Sequence, residues 1–254
     1  MKKTNELISE RFGGGKWISS VFYEKSKNKT LSDTIGKIPK DWITIHFKTY
    51  PRLHHLGIGK LKSKKIKEFL VRRSTRLFTG ESMDFKIFSR IVYTAAGITE
   101  KNQSINYSRR SYPSAGARYS LETYIIALNV KGLKEGLYHY NVKNNLLEIM
   151  LLENMKDYVL DITGNEEWLL NADFLVLLTG IPDRLRVKYG ERGFRYMLIE
   201  AGHLAQNFCL LAASEDFGSC PIGGFIESKV ISLLDIGNVN EYPIYLLSIG
   251  KQER

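Results

Sequence analysis

The chain has 254 residues, 43% hydrophobic and 25% charged, a globular composition with length enough to bury a substantial core, which excludes wholesale disorder. No apolar run approaches the roughly 20 residues of a membrane span, and no signal-type apolar segment follows the N-terminal residues, so cytoplasmic residence is expected. The net charge of +10 suits an anionic partner, but the lysines that concentrate part of it (Lys60, Lys62, Lys64, Lys65, Lys67) lack interleaved aromatics and a nucleic-acid reading element, which disfavours nucleic acid.

Cysteine and histidine usage narrows the chemistry further. Cys209 falls on an apolar helical face and Cys220 in a glycine-rich loop, without the spacing of a disulfide framework or a zinc site. The five histidines (His46, His54, His55, His139, His203) are scattered and form no HExxH helix, so no metal site is expected.

In chain order, residues 1–65 carry scattered aromatics without a sustained helical period and read as an extended N-terminal arm with one short helix, wrapped on a larger domain of residues 66–254. An apolar pattern at 66–70 predicts a helix around Arg72, Arg73, Ser74, Thr75 and Arg76. A second helix spans 85–97 and closes on Gly97. Residues 121–130 are rich in β-branched and apolar side chains and predict a buried strand; 136–140 and 146–150 form a hairpin across Asn144 and Asn145. A further strand covers 172–180. From Gly193 onward, Phe194, Met197, Leu198, Ala201, Leu204, Ala205, Phe208 and Cys209 recur at helical spacing, and Gly202 allows close approach of a neighbour. The last strand, 244–250, runs into Lys251. The pattern predicts an α+β fold around an antiparallel or mixed sheet.

Three segments read together as one pocket. Arg72, Arg73, Ser74 and Arg76 supply guanidiniums and a hydroxyl at an expected helix start, a donor set for phosphate. Pro113, Ser114, Ala115 and Gly116 form one small-residue segment, and Pro221, Ile222, Gly223 and Gly224 another, where backbone amides can approach a flat ring. Phosphate plus flat ring suggests a nucleotide-like cofactor, for which flavin mononucleotide (FMN) fits best.

Residues 110–117, 132–140, 188–196 and 200–207, in that order, resemble the nitroreductase-like flavoenzymes, specifically the SagB/McbC-type dehydrogenases of thiazole/oxazole-modified peptide biosynthesis. The resemblance runs from about residue 71 to 251. It implies an α+β nitroreductase-like FMN-binding fold, a central mostly antiparallel sheet flanked by helices, and an intertwined homodimer with FMN at each of two subunit interfaces. By the same resemblance, Arg72, Arg73 and Ser74 hold the phosphate and ribityl oxygens, and Arg76 lies near the pyrimidine side of the ring. Residues 113–116 line the isoalloxazine, an amide of Gly223 or Gly224 faces its N5 region, and Lys251 makes a basic phosphate contact. Lys188 and Tyr189 match the Lys-Tyr pair that azoline oxidases need for turnover. Aromatising a thiazoline or oxazoline removes a carbon-bound proton and a hydride equivalent, and a lysine desolvated near other cations can take the proton as a neutral amine. The implied activity is azoline oxidation on a ribosomally made precursor peptide, with dioxygen reoxidising the flavin and cyclodehydratase subunits as partners. An NAD(P)H-dependent nitro or quinone reductase and a flavin-retaining scaffold subunit are the alternatives. Arg118 and Ser120 depart from the aliphatic and proline positions usual in the family, and the arm matches only faintly, at residues 47–51.

Overall fold

The computed structural model describes residues 17–27, 48, 56–57, 66–100 and 108–253, so most of the expected arm, including nearly all of 47–51 and the lysines from 60 to 65, lies outside the described residues. In chain order the described elements are α1 (Ile18–Ser26), α2 (Lys67–Val71), β1 (Met83–Asp84), α3 (Phe85–Ala96), β2 (Ile98–Glu100), β3 (Arg109–Arg110), β4 (Leu121–Ala127), β5 (Val130–Lys131), β6 (Gly136–Asn141) and β7 (Leu146–Leu151). There follow α4 (Lys156–Thr163), β8 (Phe174–Gly180), α5 (Asp183–Tyr189), α6 (Arg192–Ser214), β9 (Gly218–Ile222), α7 (Glu227–Leu234) and β10 (Tyr242–Gly250).

Six strands form one sheet in the order β7-β6-β4-β8-β10-β9, every neighbouring pair antiparallel. The central strands β4 and β8 are buried almost throughout, because both faces are covered and alternate side chains enter two different cores. Phe174, Val176 and Leu178 of β8 pack with α3 and α6 on one side. Leu175 and Leu177 pack with α4 and α7 on the other. α3 begins where Asp84 accepts the N–H of Lys86 at 2.8 Å and stops at Gly97, as its sequence predicts.

Four departures from the expected elements have physical causes. The helix before the arginines ends at Val71, and Arg72 to Leu77 run extended, because Ser74 bridges Ser219 and Thr75 N–H donates to Ser219 O at 3.0 Å along the sheet edge. Cys220 lies in β9, not in a loop; it is buried, and the glycines follow the strand. Residues 183–189 form a helix, α5, capped at Gly190, which gives its N–H to Arg186 O. A Cβ at Gly202 would meet nothing within 4 Å, so the neighbour its absence admits is not in this chain's described residues. Among the described residues no helix is long and apolar enough to cross a membrane.

Asp173, just before β8, ties the sheet to its surroundings. Its carboxylate accepts Met83 N–H at 2.8 Å and Lys251 N–H at 2.9 Å. Burial pushes this carboxyl up from 3.8 to about 7 despite the two donors. The folded chain therefore keeps a proton that the unfolded chain releases near pH 4. The group's stabilising contribution is complete below about pH 4 and is lost as pH rises through about 7. Urea midpoints of wild type and Asp173→Asn, compared from pH 4 to 8, are expected to show the wild type's advantage shrinking as pH rises; parallel curves would contradict it.

Candidate functional site

The registers put the end of β8, the start of β4, the start of β10 and the end of β9 at one rim of the sheet, with Leu121 and Tyr242 both opposite Gly180 and Ile222 opposite Leu246. Residues 113–116, 188–189 and 223–224 leave from that end of the sheet, whereas Ser74, beside Ser219, and Lys251, after Gly250, lie at the opposite end. Residues 113–120 enter β4, α5 follows β8 closely, and Gly223 and Gly224 follow β9.

The turn before β4 is strained and firmly held. Gly116, Ala117 and Tyr119 all have positive φ, at 61°, 50° and 45°. For the two non-glycine residues this costs on the order of 1–3 kcal/mol each. The Glu200 carboxylate, buried in the middle of α6, offsets that cost: it accepts Ser114 Oγ–H at 2.6 Å, Ser120 N–H at 2.9 Å and Ser120 Oγ–H at 3.1 Å. Tyr119 N–H donates to Ser114 Oγ at 2.9 Å, closing the turn on itself. Burial nonetheless raises the Glu200 carboxyl above the usual carboxylate range. Ser120, a departure from the family pattern, is one of the groups that hold the turn.

A Cβ built on Gly116 would lie 2.7 Å from Tyr189 Oη and 3.1 Å from Lys188 Nζ. The turn and the Lys-Tyr pair, more than 70 residues apart in sequence, therefore meet at one point. Tyr189 is half-buried, edge-on to Tyr196 at 5.1 Å, and the Lys188 ammonium sits 5.3 Å from the Tyr189 ring centre. Lys188 itself is exposed. Two arginines near it in sequence turn elsewhere. Arg184 donates to Glu122 and, at 3.0 Å, to Tyr119 O, and its own carbonyl accepts from Arg118 Nε, which fastens α5 to the turn. Arg186 points into the protein and is 1% exposed.

The arginine segment forms a second group along the β9 edge. Ser74 pairs in parallel with Ser219, and the Arg76 guanidinium lies 5.9 Å from the Trp168 ring centre. Lys67, Arg72, Arg73, Asp216, Phe217 and Ser219 line a small cleft of about 110 Å³. Lys251 Nζ lies 5.5 Å from the Phe217 ring centre. Among the described residues no ion pair engages Arg72, Arg73 or Arg76, while Arg73 Nη1 donates to Leu70 O at 3.0 Å and to Arg72 O at 2.8 Å. Pro221 and Ile222 pair with Leu247 and Leu246, Gly223 and Gly224 are exposed, and open space surrounds the position of a Gly223 Cβ. These donors and this opening fit a phosphate and a flat ring. The turn before β4 is three strands away across the sheet, and Ser219, on which the arginine segment rests, is level with Ala127 at the far end of β4. One chain therefore gathers its candidate residues as two groups rather than one closed pocket.

A helix-flanked, six-stranded antiparallel sheet of this order defines an α+β protein of the nitroreductase-like fold. The chain belongs to the Nitroreductase family, whose model matches residues 70–251 and whose members are oxidoreductases that generally bind FMN. MJ1384 of Methanocaldococcus jannaschii, which carries the nitroreductase name, is 30% identical over 198 residues, 78% of this chain and 96% of that protein. The microcin B17-processing protein McbC of Escherichia coli is 27% identical over 147 residues, 56% of this chain and 54% of McbC. The solved E. coli microcin synthetase McbBCD complex, with truncated pro-MccB17 bound, contains a chain of the same fold: TM-score 0.74 at 19% identity, covering 98% of this chain and 94% of that one.

Sequence reading assigns no role to Glu200, and none in holding the turn to Ser120 or Arg184. Glu200 was legible as a charged residue on an otherwise apolar helix face, the one signal available for it. Glu200→Ala leaves three buried donors without an acceptor and is expected to cost about 3 kcal/mol or more, against about 1–2 kcal/mol for Gly116→Ala at its positive φ. Denaturant midpoints of the two variants check both magnitudes and their order.

Proposed function

We propose that the protein is an FMN-dependent dehydrogenase that oxidises thiazoline or oxazoline rings in a ribosomally made precursor peptide. The observation that carries this reading is the meeting of Lys188 Nζ and Tyr189 Oη at Gly116, which sets a base and a phenol beside a wall of small residues. Arg72, Arg73 and Ser74 would hold the phosphate with Lys251, Arg76 would face the ring's pyrimidine side, and residues 113–116 and 221–224 would line the ring. FMN, when bound, supplies the two-electron acceptor. Lys188 takes the carbon-bound proton, and Tyr189 orients the ring or relays that proton. Since Lys188 is exposed in the single chain, its desolvation falls to whatever closes over it, the peptide and a second subunit.

A homodimer belongs to this proposal. Leu198 and Ile199 are 40% and 49% exposed on α6, Phe69, Leu70 and Val71 of α2 are exposed, and Gly202 opens onto empty space. A second copy on this face would bring one chain's arginine group to the other's turn. Light scattering is expected to give twice the chain mass, and Gly202→Arg to yield monomers that lose FMN together with dimerisation. Monomers that keep FMN would refute the shared pocket. The name borne by McbC, microcin B17-processing, supports a peptide substrate and partnership with cyclodehydratase subunits.

The similarity to MJ1384 favours a second reading, an NAD(P)H-dependent nitro or quinone reductase using the same pocket. The purified protein is expected to be yellow, to release FMN on denaturation, and to remove two hydrogens per ring from a cyclised peptide, read by mass spectrometry. Lys188→Ala is expected to lower that turnover at least a hundredfold with FMN retained. Rapid bleaching by NAD(P)H, with no action on azolines, would select the reductase instead.

A further inference from the structure

We infer that α1, the N-terminal helix, is a positioning element for Lys188 and Tyr189; the inference rests on the catalytic reading of that pair. α1 has nine residues and no side-chain cap from its own N-cap residue, Trp17, and a helix of that length is marginal alone. Its first turn is capped from 170 residues away. The Glu191 carboxylate accepts Ile18 N–H at 2.5 Å and Ser19 N–H at 3.1 Å, placing a negative charge at the helix N-terminus.

The same helix covers Arg186. That guanidinium donates through Nη2 to Ser19 Oγ at 3.0 Å and Ser20 Oγ at 2.9 Å, through Nη1 to Asp183 at 3.3 Å, and lies 5.0 Å from the Trp17 ring centre. Its Nε has no partner. A buried guanidinium with one nitrogen already unpaired depends on the partners it has, and two of these come from α1. At its other end α1 is held by Tyr23, whose hydroxyl donates to Pro243 O at 3.1 Å and whose ring stacks on Tyr242 at 4.4 Å.

Arg186 and Glu191 stand two residues before Lys188 and two after Tyr189. α1 thus grips the chain on both sides of the pair, while Arg184 and Arg118 fasten the same short helix to the Gly116 turn. α5 has seven residues, and with α1 released Asp183 is the one side-chain hydrogen-bond partner among the described residues that Arg186 keeps. The pair is held against Gly116 from behind by α1 and from in front by the turn.

The test uses the full-length, flavin-loaded protein and two variants, Ser19→Ala/Ser20→Ala and Glu191→Ala, that leave the sheet intact. Deuterium uptake at residues 183–190 is expected to accelerate at least tenfold in each, with uptake in β8 unchanged. On a cyclised peptide kcat is expected to fall about tenfold with KM and flavin content unchanged, a split that general destabilisation would not give. Unchanged uptake at 183–190 would overturn the inference. So would faster uptake with kcat within twofold of wild type, because α1 would then dock without positioning the pair. If Lys188→Ala itself retained full kcat, the catalytic reading of the pair would fail and the positioning role with it, whereas deuterium uptake would still decide whether α1 holds α5.

Discussion

The Glu200 carboxylate, sunk into the middle of α6 beneath Ser114 and Ser120, holds a turn whose backbone would relax if left alone. Three residues of that turn have positive φ, and only one is a glycine. Such a conformation survives where surrounding contacts over-determine it. Glu200 supplies three of those contacts from one buried group, at the expense of its own desolvation. From this anchorage follow the position of Gly116 and the approach of Tyr189 and Lys188 to it.

The arrangement around the turn is layered. α6 provides Glu200 from below; α5 provides the Lys-Tyr pair and, through Arg184, a second tie to the turn; α1 covers the back of α5. Gly193 fits the same plan: a Cβ there would lie 2.9 Å from that of Leu185, so α6 and α5 touch backbone to backbone where one follows the other. Each short element is weak alone, and the site's rigidity comes from contacts between elements far apart in sequence. The arginine group is built differently. It rests on edge-strand pairing with β9, and among the described residues its guanidiniums have no carboxylate partner.

The division of candidate residues between two groups bears on how the family's chemistry is housed. Neither group alone offers both phosphate donors and a proton acceptor. The exposed face of α6 around Gly202, which carries Leu198 and Ile199 beside Arg195 and His203, meets no other described part of the chain at that glycine. The reading as a peptide-modifying oxidoreductase draws on both the rim geometry and the kinship with McbC, and the kinship with MJ1384 keeps a simpler reductase as its rival.

Much of the fold was legible in residues whose pattern is local. The β-branched and apolar runs of β4 and β8, the helical period of α6 and the Asn144-Asn145 turn each encode their own element, although the run expected as one strand over 121–130 breaks after Ala127 and resumes at Val130 in a different sheet. α5, β9 and the extended arginine segment were not legible. Seven- and five-residue elements carry too little periodicity, and Arg72 to Leu77 take their conformation from Ser219, a partner over 140 residues away. The site divides in the same way. Residue chemistry named the arginines and the small-residue walls, and the family resemblance named the Lys-Tyr pair. Glu200, Ser120, Arg184 and Arg186 act through distances and burial, which a linear string does not contain; only packing made a carboxylate the holder of a strained turn, and only packing put an N-terminal helix behind Lys188.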